Sequence, residues 1–327
     1  MSASDVLARV IAWLIAPFAG FVQPAEKMYW LHALGSVLVA MLVFLRAGSK
    51  TPFRSIFARE IWGHPSARID VWWYFLNGML LPAILLPLLA AQRSGGLWVA
   101  ARLTETLGER GDVSAPGLWF GIALVVVAAL VNDFAIYLPH WLQHRIPLLW
   151  QFHKVHHSAQ VLTPFTAFRF HPVDDLLNAV CVIGIVGAFN GLVLWRFPFE
   201  VVQLTLLDVN AVVFLFYLLG VHLRHSHVWL AYPPAVSQLL ISPAMHQIHH
   251  STRVEHYDKN FGLVFSVWDR LFGTLYVPET KLELTFGLGA DEEKEFSSVA
   301  RLYVLPFRKA AALLRRSPEP GKDPAAT

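Results

Sequence analysis

The stretch DFAIYLPHWLQHRIPLLWQFHKVHHS, residues 133–158, places His140, His144, His153, His156 and His157 within eighteen positions. Further on, His246, His249 and His250 repeat the spacing of His153, His156 and His157. On a helix, positions i, i+3 and i+4 share a face, so each trio aims imidazoles at a common region. Adjacent histidines diverge by about 100° on a helix. His156 and His157, and likewise His249 and His250, therefore suit two neighbouring ions better than one. Imidazole is a nitrogen ligand for Fe, Zn, Cu and Ni. Of the 15 histidines, 13 lie between His140 and His256, which argues for a dinuclear metal centre over scattered surface residues.

Working outward, His222 and His225 share a face at i, i+3, with His227 pointing elsewhere. His171 stands alone in the run Arg169, Phe170, His171, Pro172 and is expected to hydrogen-bond near the site, as is His256; His32 and His64 read as ordinary interface residues. Asp133 and Tyr137 precede His140 by seven and three residues on one helical face, so either is placed to hydrogen-bond the second nitrogens of the His140 and His144 pair. An acid inside an apolar span is costly and usually functional. Asp258, Asn260 and Asp269 are supporting candidates on the same reasoning.

The composition points to a membrane protein, with 55% hydrophobic residues and a mean hydropathy of +0.48. The single cysteine, Cys181, excludes disulfides, iron-sulfur clusters and cysteine-ligated zinc and reads as a buried structural thiol. A net charge of +3 comes without a basic stripe interleaved with aromatics, so no nucleic-acid partner is expected. Residues 1–28 read as an interfacial or short membrane segment and 29–139 as the first transmembrane helices, with spans at Tyr29–Leu45, Val71–Ala91 and Leu118–Leu138. Residues 140–278 form the histidine-bearing region, interrupted by a transmembrane hairpin at 176–220 with spans Leu176–Trp195 and Val201–Gly220 around the turn Arg196, Phe197, Pro198. Residues 279–327 end in an amphipathic helix, Val299–Arg316, and a disordered tail from Ser317 to Thr327.

In this arrangement every histidine cluster emerges on one side, and the segments on that side hold 20 of the 26 Lys and Arg residues. The positive-inside rule makes it the cytoplasmic side. The expected fold is all-α: a multi-span, integral membrane helical protein with a cytoplasmic histidine-lined helical cap.

The pattern H-x3-H, H-x2-H-H and a later H-x2-H-H resembles the fatty acid hydroxylase superfamily, or sterol desaturase family, of membrane di-iron oxygenases. The likeness extends to FRFHPVDDLL (168–177), RHSHVWL (224–230) and MHQIHHSTRVEHYDKNFGLVFSVWDRLFGTLYVP (245–278), in family order and together spanning residues 133–278. Many members carry Arg directly after the first histidine, where this chain has Trp141.

The resemblance implies His140, His144, His153, His156, His157, His225, His246, His249 and His250 as ligands of two Fe ions, with His222 a possible tenth; zinc can fill such a site in purified protein. It also implies O2 as co-substrate, a lipid substrate, and hydroxylation of a C–H bond or the closely related desaturation. Catalytic groups beyond the metal centre are not expected. The chain has no heme-binding His-Pro-Gly-Gly segment, no G-x-G-x-x-G fingerprint and no ferredoxin cysteines, so electrons must come from a separate donor or a reducing cofactor. A heme-type electron carrier would instead need histidines facing each other inside the spans, and a metal transporter would need ligands near the bilayer midplane.

Overall fold

The computed structural model describes residues 3–109, 117–197 and 205–315. The expected tail at Ser317–Thr327 lies outside them, as do Pro198 and the start of the expected span Val201–Gly220.

The fold is mostly helical. Helix α1 (Ala3–Ala19) leads to α2 (Trp30–Arg46), and after two short helical turns α3 runs from Pro65 to Leu107. Helix α4 (Leu118–Arg145) meets α5 (Pro147–His157) at a sharp corner, and α6 follows over Pro172–Arg196. The later segments are short: α7 (Ala211–Leu218), a 3-10 turn at Val221–His225, α8 (Pro243–His249) and, at the end, α9 (Val299–Arg315). Prolines at the first helical positions of α3, α5, α6 and α8 set where these helices begin, because the missing N–H is one that no helix start can use.

Among the described residues, α4 and α6 are long and apolar enough to cross a membrane. At 1.5 Å per residue they reach about 42 and 37 Å, against a hydrocarbon core of about 30 Å. Helices α3 and α6 run parallel. Trp73 and Asn77 donate to the Phe170 carbonyl at one end, and Gly96 meets Gly187 and Gly191 further along. Helix α4 is antiparallel to them, with Gln143 donating to Asp174 at one end and Phe120 against Phe197 at the other. The first turns of α3, α5 and α6 and the last turn of α4 thus share one end of the bundle.

Three expectations are corrected. The second span was expected to stop at Ala91, yet α3 continues to Leu107 despite Pro82 and Pro87. Its extension is held by small-residue packing: a Cβ on Gly191 would lie 2.6 Å from the Gly96 carbonyl oxygen, so the two backbones touch where any side chain would part them. That contact is supplied by the partner helix and is not visible in the sequence of α3 alone.

Over its described residues, 205–220, the expected fifth span does not form one helix. Thr205–Leu206 and Val209–Asn210 pair as β1 and β2 around Leu207 and Asp208, both at positive φ, and α7 has only 8 residues, about 12 Å. Asn210 caps α7 by accepting from Val212 and Val213 and donates to the Val125 carbonyl, which stops the helix from extending backward. Cys181, expected to be buried, is half-exposed on α6.

Helix α9 is amphipathic as expected, but it packs onto the bundle. Leu302, Pro306 and Ala310 lie one turn apart and are buried, with Leu302 in a cluster with Trp73, Val155 and Phe296.

Gly191→Val tests the contact between α3 and α6. The added side chain should lower stability by about 1–3 kcal/mol, as overpacking does. Gly95→Ala, where a Cβ meets nothing within 4 Å, should leave thermal unfolding in detergent unchanged or slightly improved.

Candidate metal centre

The last turns of α4 present His140 and His144, α5 presents His153, His156 and His157, the 3-10 turn presents His225, and α8 with its C-cap presents His246, His249 and His250. These nine imidazoles fall into two groups. One holds His140, His144, His153, His157 and His249; the other holds His156, His225, His246 and His250; within each group the ligand atoms lie within 4.8 Å of one another. Both adjacent pairs are split between the groups, as a divergence of about 100° requires. The i, i+4 pairs 140/144, 153/157 and 246/250 stay together. His157 and His250 stack at 4.6 Å between the groups.

The Nε2 atoms face inward. They stand 3.0 Å apart for His140 and His249, 3.1 Å for His144 and His157, 3.0 Å for His225 and His246, and 3.1 Å for His225 and His250. Two nitrogens bound cis on one ion at a bond length of about 2.1 Å would be about 3 Å apart.

Tautomers sharpen the fit. His140 donates its Nδ1–H to the Phe261 carbonyl (3.0 Å) and His249 to the Lys259 carbonyl (2.7 Å), so when neutral both rings present bare Nε2 lone pairs to each other. Such a contact is repulsive in a buried site unless a cation lies between. Burial, reinforced by neighbouring imidazoles, holds His153, His156, His157, His249 and His250 well below the ordinary histidine range. Burial and then the Arg224 guanidinium do the same for His225 and His246. These rings are therefore neutral imidazoles rather than cations, the form in which imidazole can take up a metal ion. His153 has no hydrogen-bond partner on either nitrogen, and the Asp174 carboxylate stands 3.8 Å from its Nδ1. The donor set fits metal ions of the nitrogen-preferring kind.

His246 differs from the rest. Arg224 donates to its Nδ1 (2.9 Å), so a neutral His246 carries its proton on Nε2, and that atom of the neutral ring is free for an ion only when the proton moves to Nδ1 and the Arg224 bond is given up. Arg224 also donates to the carbonyls of Gly262 (2.9 Å) and Leu263.

The supporting candidates from the sequence are placed as follows. Asp133 and Tyr137 do not reach a histidine nitrogen, contrary to expectation. Asp133 accepts from the backbone N–H groups of Val264 (2.7 Å) and Phe265 (3.1 Å), and the Tyr137 hydroxyl pairs with Thr274. Asp269 accepts from the N–H groups of Phe261 and Gly262, both at 2.8 Å. Asn260, at positive φ, ties Met245 to Tyr276. Asp133, Asp269 and Asn260 thus fix the loop 259–265, whose carbonyls orient His140 and His249. Asp258 lies 3.4 Å from His144 Nδ1.

Arg169 is 1% exposed and binds Asp70 (2.8 Å), Ser66, Ser158 and the Val155 carbonyl, closing the end of α5 onto the start of α3. His171 caps α6 and meets the Tyr303 carbonyl; His227 meets the Ser55 carbonyl; His256 packs on Tyr276. His222, the possible tenth ligand, belongs to neither group.

The sequence reading missed Arg224, Asp174 and Lys27. Arg224 and Asp174 sit inside motif blocks, one residue before His225 and three after His171, where a buried charge has to be explained. Nothing local marks Lys27, which borders a chamber of about 60 Å³ opening on His140, His156, His225 and His246.

With the geometry in view, residues 125–274 match the family model described as fatty acid hydroxylase. The chain is similar to a Delta(7)-sterol 5(6)-desaturase of Gibberella zeae, 32% identical over 50% of this chain and 41% of the relative. It is also similar to an ornithine lipid hydroxylase of Rhizobium tropici (27% identical; 55% and 50%) and to an alkylglycerol monooxygenase of Danio rerio (28%; 50% and 32%). The match thus spans half or less of each of these relatives' lengths. No solved structure matches the chain.

Each group is testable alone. His156→Ala should cost the four-histidine group its ion and His157→Ala weaken the five-histidine group, so iron per chain should fall in both from about two toward one. Inductively coupled plasma mass spectrometry reads the content; unchanged iron in both variants would sink the two-group assignment.

Proposed function

We propose that this protein is an O2-dependent, membrane-bound di-iron oxygenase that hydroxylates a C–H bond of a lipid, with His140, His144, His153, His157 and His249 holding one iron and His156, His225, His246 and His250 the other. The observation that carries this reading is the sorting of nine buried imidazoles into two adjacent groups inside a fatty acid hydroxylase domain. Desaturation begins with the same hydrogen abstraction, and the similarity to a sterol desaturase keeps it as the second reading.

When bound, the irons would supply O2 activation and oxidation of an unactivated C–H bond. The residues of the chain do the rest. All nine ligand rings are neutral imidazoles, so the site keeps a net positive charge that favours anionic oxygen ligands. The loop 259–265, clamped by Asp133 and Asp269, keeps His140 and His249 in one tautomer and one orientation. Ile136, Phe170, Val221 and Leu263 form the apolar part of the chamber beside the histidines, which Lys27 and Arg224 also line, and would seat an apolar chain against the site. Electrons come from a separate donor or a reducing cofactor. A heme carrier fits this geometry poorly, because axial ligands oppose each other across an iron whereas these nitrogens converge side by side at 3.0–3.4 Å.

In the proposed membrane setting, α3 and α6 lead away from the histidine end and α4 leads back, making the protein multi-pass with its metal site on the cytoplasmic side. The support is the concentration of basic residues in segments at that end.

Two measurements test this. Lipid mass spectrometry of cells with and without the gene should reveal a product heavier by about 16 Da for hydroxylation or lighter by about 2 Da for desaturation. His249→Ala should abolish either; a product that persists in this variant would overturn the reading. For topology, Gln160→Cys should resist an impermeant thiol reagent on intact cells and react after lysis, in a chain whose Cys181 is replaced by Ala.

A further inference from the structure

A second cavity, about 200 Å³, lies on the other side of the turn Val221–His225 from the metal chamber. Helix α2, the short helical turns at 52–62, residues 162–165 and residues 222–228 enclose it, and no Lys, Arg, Asp or Glu lines it. Its polar lining is Ser36, Trp62, Thr163, His222, Ser226 and His227. Four of these are satisfied within the protein: Trp62 donates to the Ile56 carbonyl, Thr163 pairs with Thr166, Ser226 donates to the Leu223 carbonyl, and His227 meets the Ser55 carbonyl.

The other two are not. Ser36 Oγ and His222 Nε2 are buried, with their residues 3% and 5% exposed, and neither atom has a hydrogen-bond partner. A helical serine ordinarily bonds back to the preceding turn when nothing else is on offer; Ser36 does not. His222 is bonded to the Lys27 backbone carbonyl, which leaves Nε2 of the neutral ring a bare acceptor. Two buried, unpaired polar atoms on one apolar wall cost stability unless a ligand completes them. One acceptor and one hydroxyl, in a lining without charged side chains, match a guest that both donates and accepts through a single neutral oxygen.

We propose that this cavity seats the hydroxyl end of an uncharged lipid alcohol, whose O–H donates to His222 Nε2 and whose oxygen accepts from Ser36 Oγ–H. Calling this alcohol the substrate rests on the oxidation reading above; the binding site does not. An ether or ester at the same position would leave His222 unpaired, and a carboxylate or ammonium would enter an apolar pocket whose lining supplies no counter-charge.

The test is binding, not turnover. Iron-loaded protein in nanodiscs is titrated with 1-decanol, decyl methyl ether and decanoate, reading the fluorescence of Trp62, with Trp62→Phe as the blank. The alcohol should bind about tenfold more tightly than the ether, and decanoate more weakly than either. Ser36→Ala and His222→Leu should each cut that preference to under about threefold, with ether binding and iron content unchanged. Equal affinity for alcohol and ether, or a preference that survives both substitutions, overturns the proposal. So does loss of iron in a folded His222→Leu protein, which would place His222 among the ligands. Should that variant fail to fold, Ser36→Ala decides alone. An alcohol preference without any oxidised lipid in the cell assay would keep this site and remove the catalytic reading, and the converse result would do the opposite.

Discussion

Lone pairs facing lone pairs across about 3 Å set the terms for this fold. Nine imidazoles are drawn into a water-poor bundle end, where carrying protons is disfavoured by burial and sharing hydrogen bonds is impossible once Nδ1 protons are committed to backbone carbonyls, as for His140 and His249. A cation bound between these two rings would turn that repulsion into coordination. Much of the surrounding architecture keeps the rings from escaping in its absence. Such a centre couples metal binding to folding, since the unfolded chain offers no comparable set of nitrogens.

The restraints come from far apart in the chain. Asp133, deep in α4, and Asp269 hold the same short loop through its N–H groups, and that loop returns carbonyls to His140 and His249. Arg169 and Asp70 form a buried pair that binds the end of α5 to the beginning of α3, which fixes the helix carrying His153, His156 and His157. Removing one partner of such a pair strands the other charge in the interior, at a cost of about 3–5 kcal/mol. Asp133 and Arg169 therefore act on the centre through the elements they anchor.

The repeated spacing of histidines made the site legible because helical geometry converts spacing into direction within a few turns. That logic sends His156 and His157 apart and keeps His153 with His157. It could not say that His222, three residues from His225, turns away into an apolar cavity, since the 3-10 turn that carries both has a different period from an α-helix. It also misjudged Asp133 and Tyr137, whose helical face was read correctly but whose partners lie more than 120 residues away. The length of α3 and the collapse of the expected fifth span into a β-hairpin and an eight-residue helix escaped it for the same reason: hydropathy measures what a segment tolerates, and packing against α6 or Val125 decides what it does.

By itself the sequence determined the helical class, the apolar character and the residues able to hold metal, because each depends on composition or on short-range periodicity. The tertiary structure alone decided which imidazoles share a group, which backbone carbonyls set their tautomers, and which polar atoms are left unpaired beside the site. Those outcomes depend on contacts between segments distant in the chain, where side-chain direction is set by how helices dock and by the hydrogen bonds that docking leaves unmade.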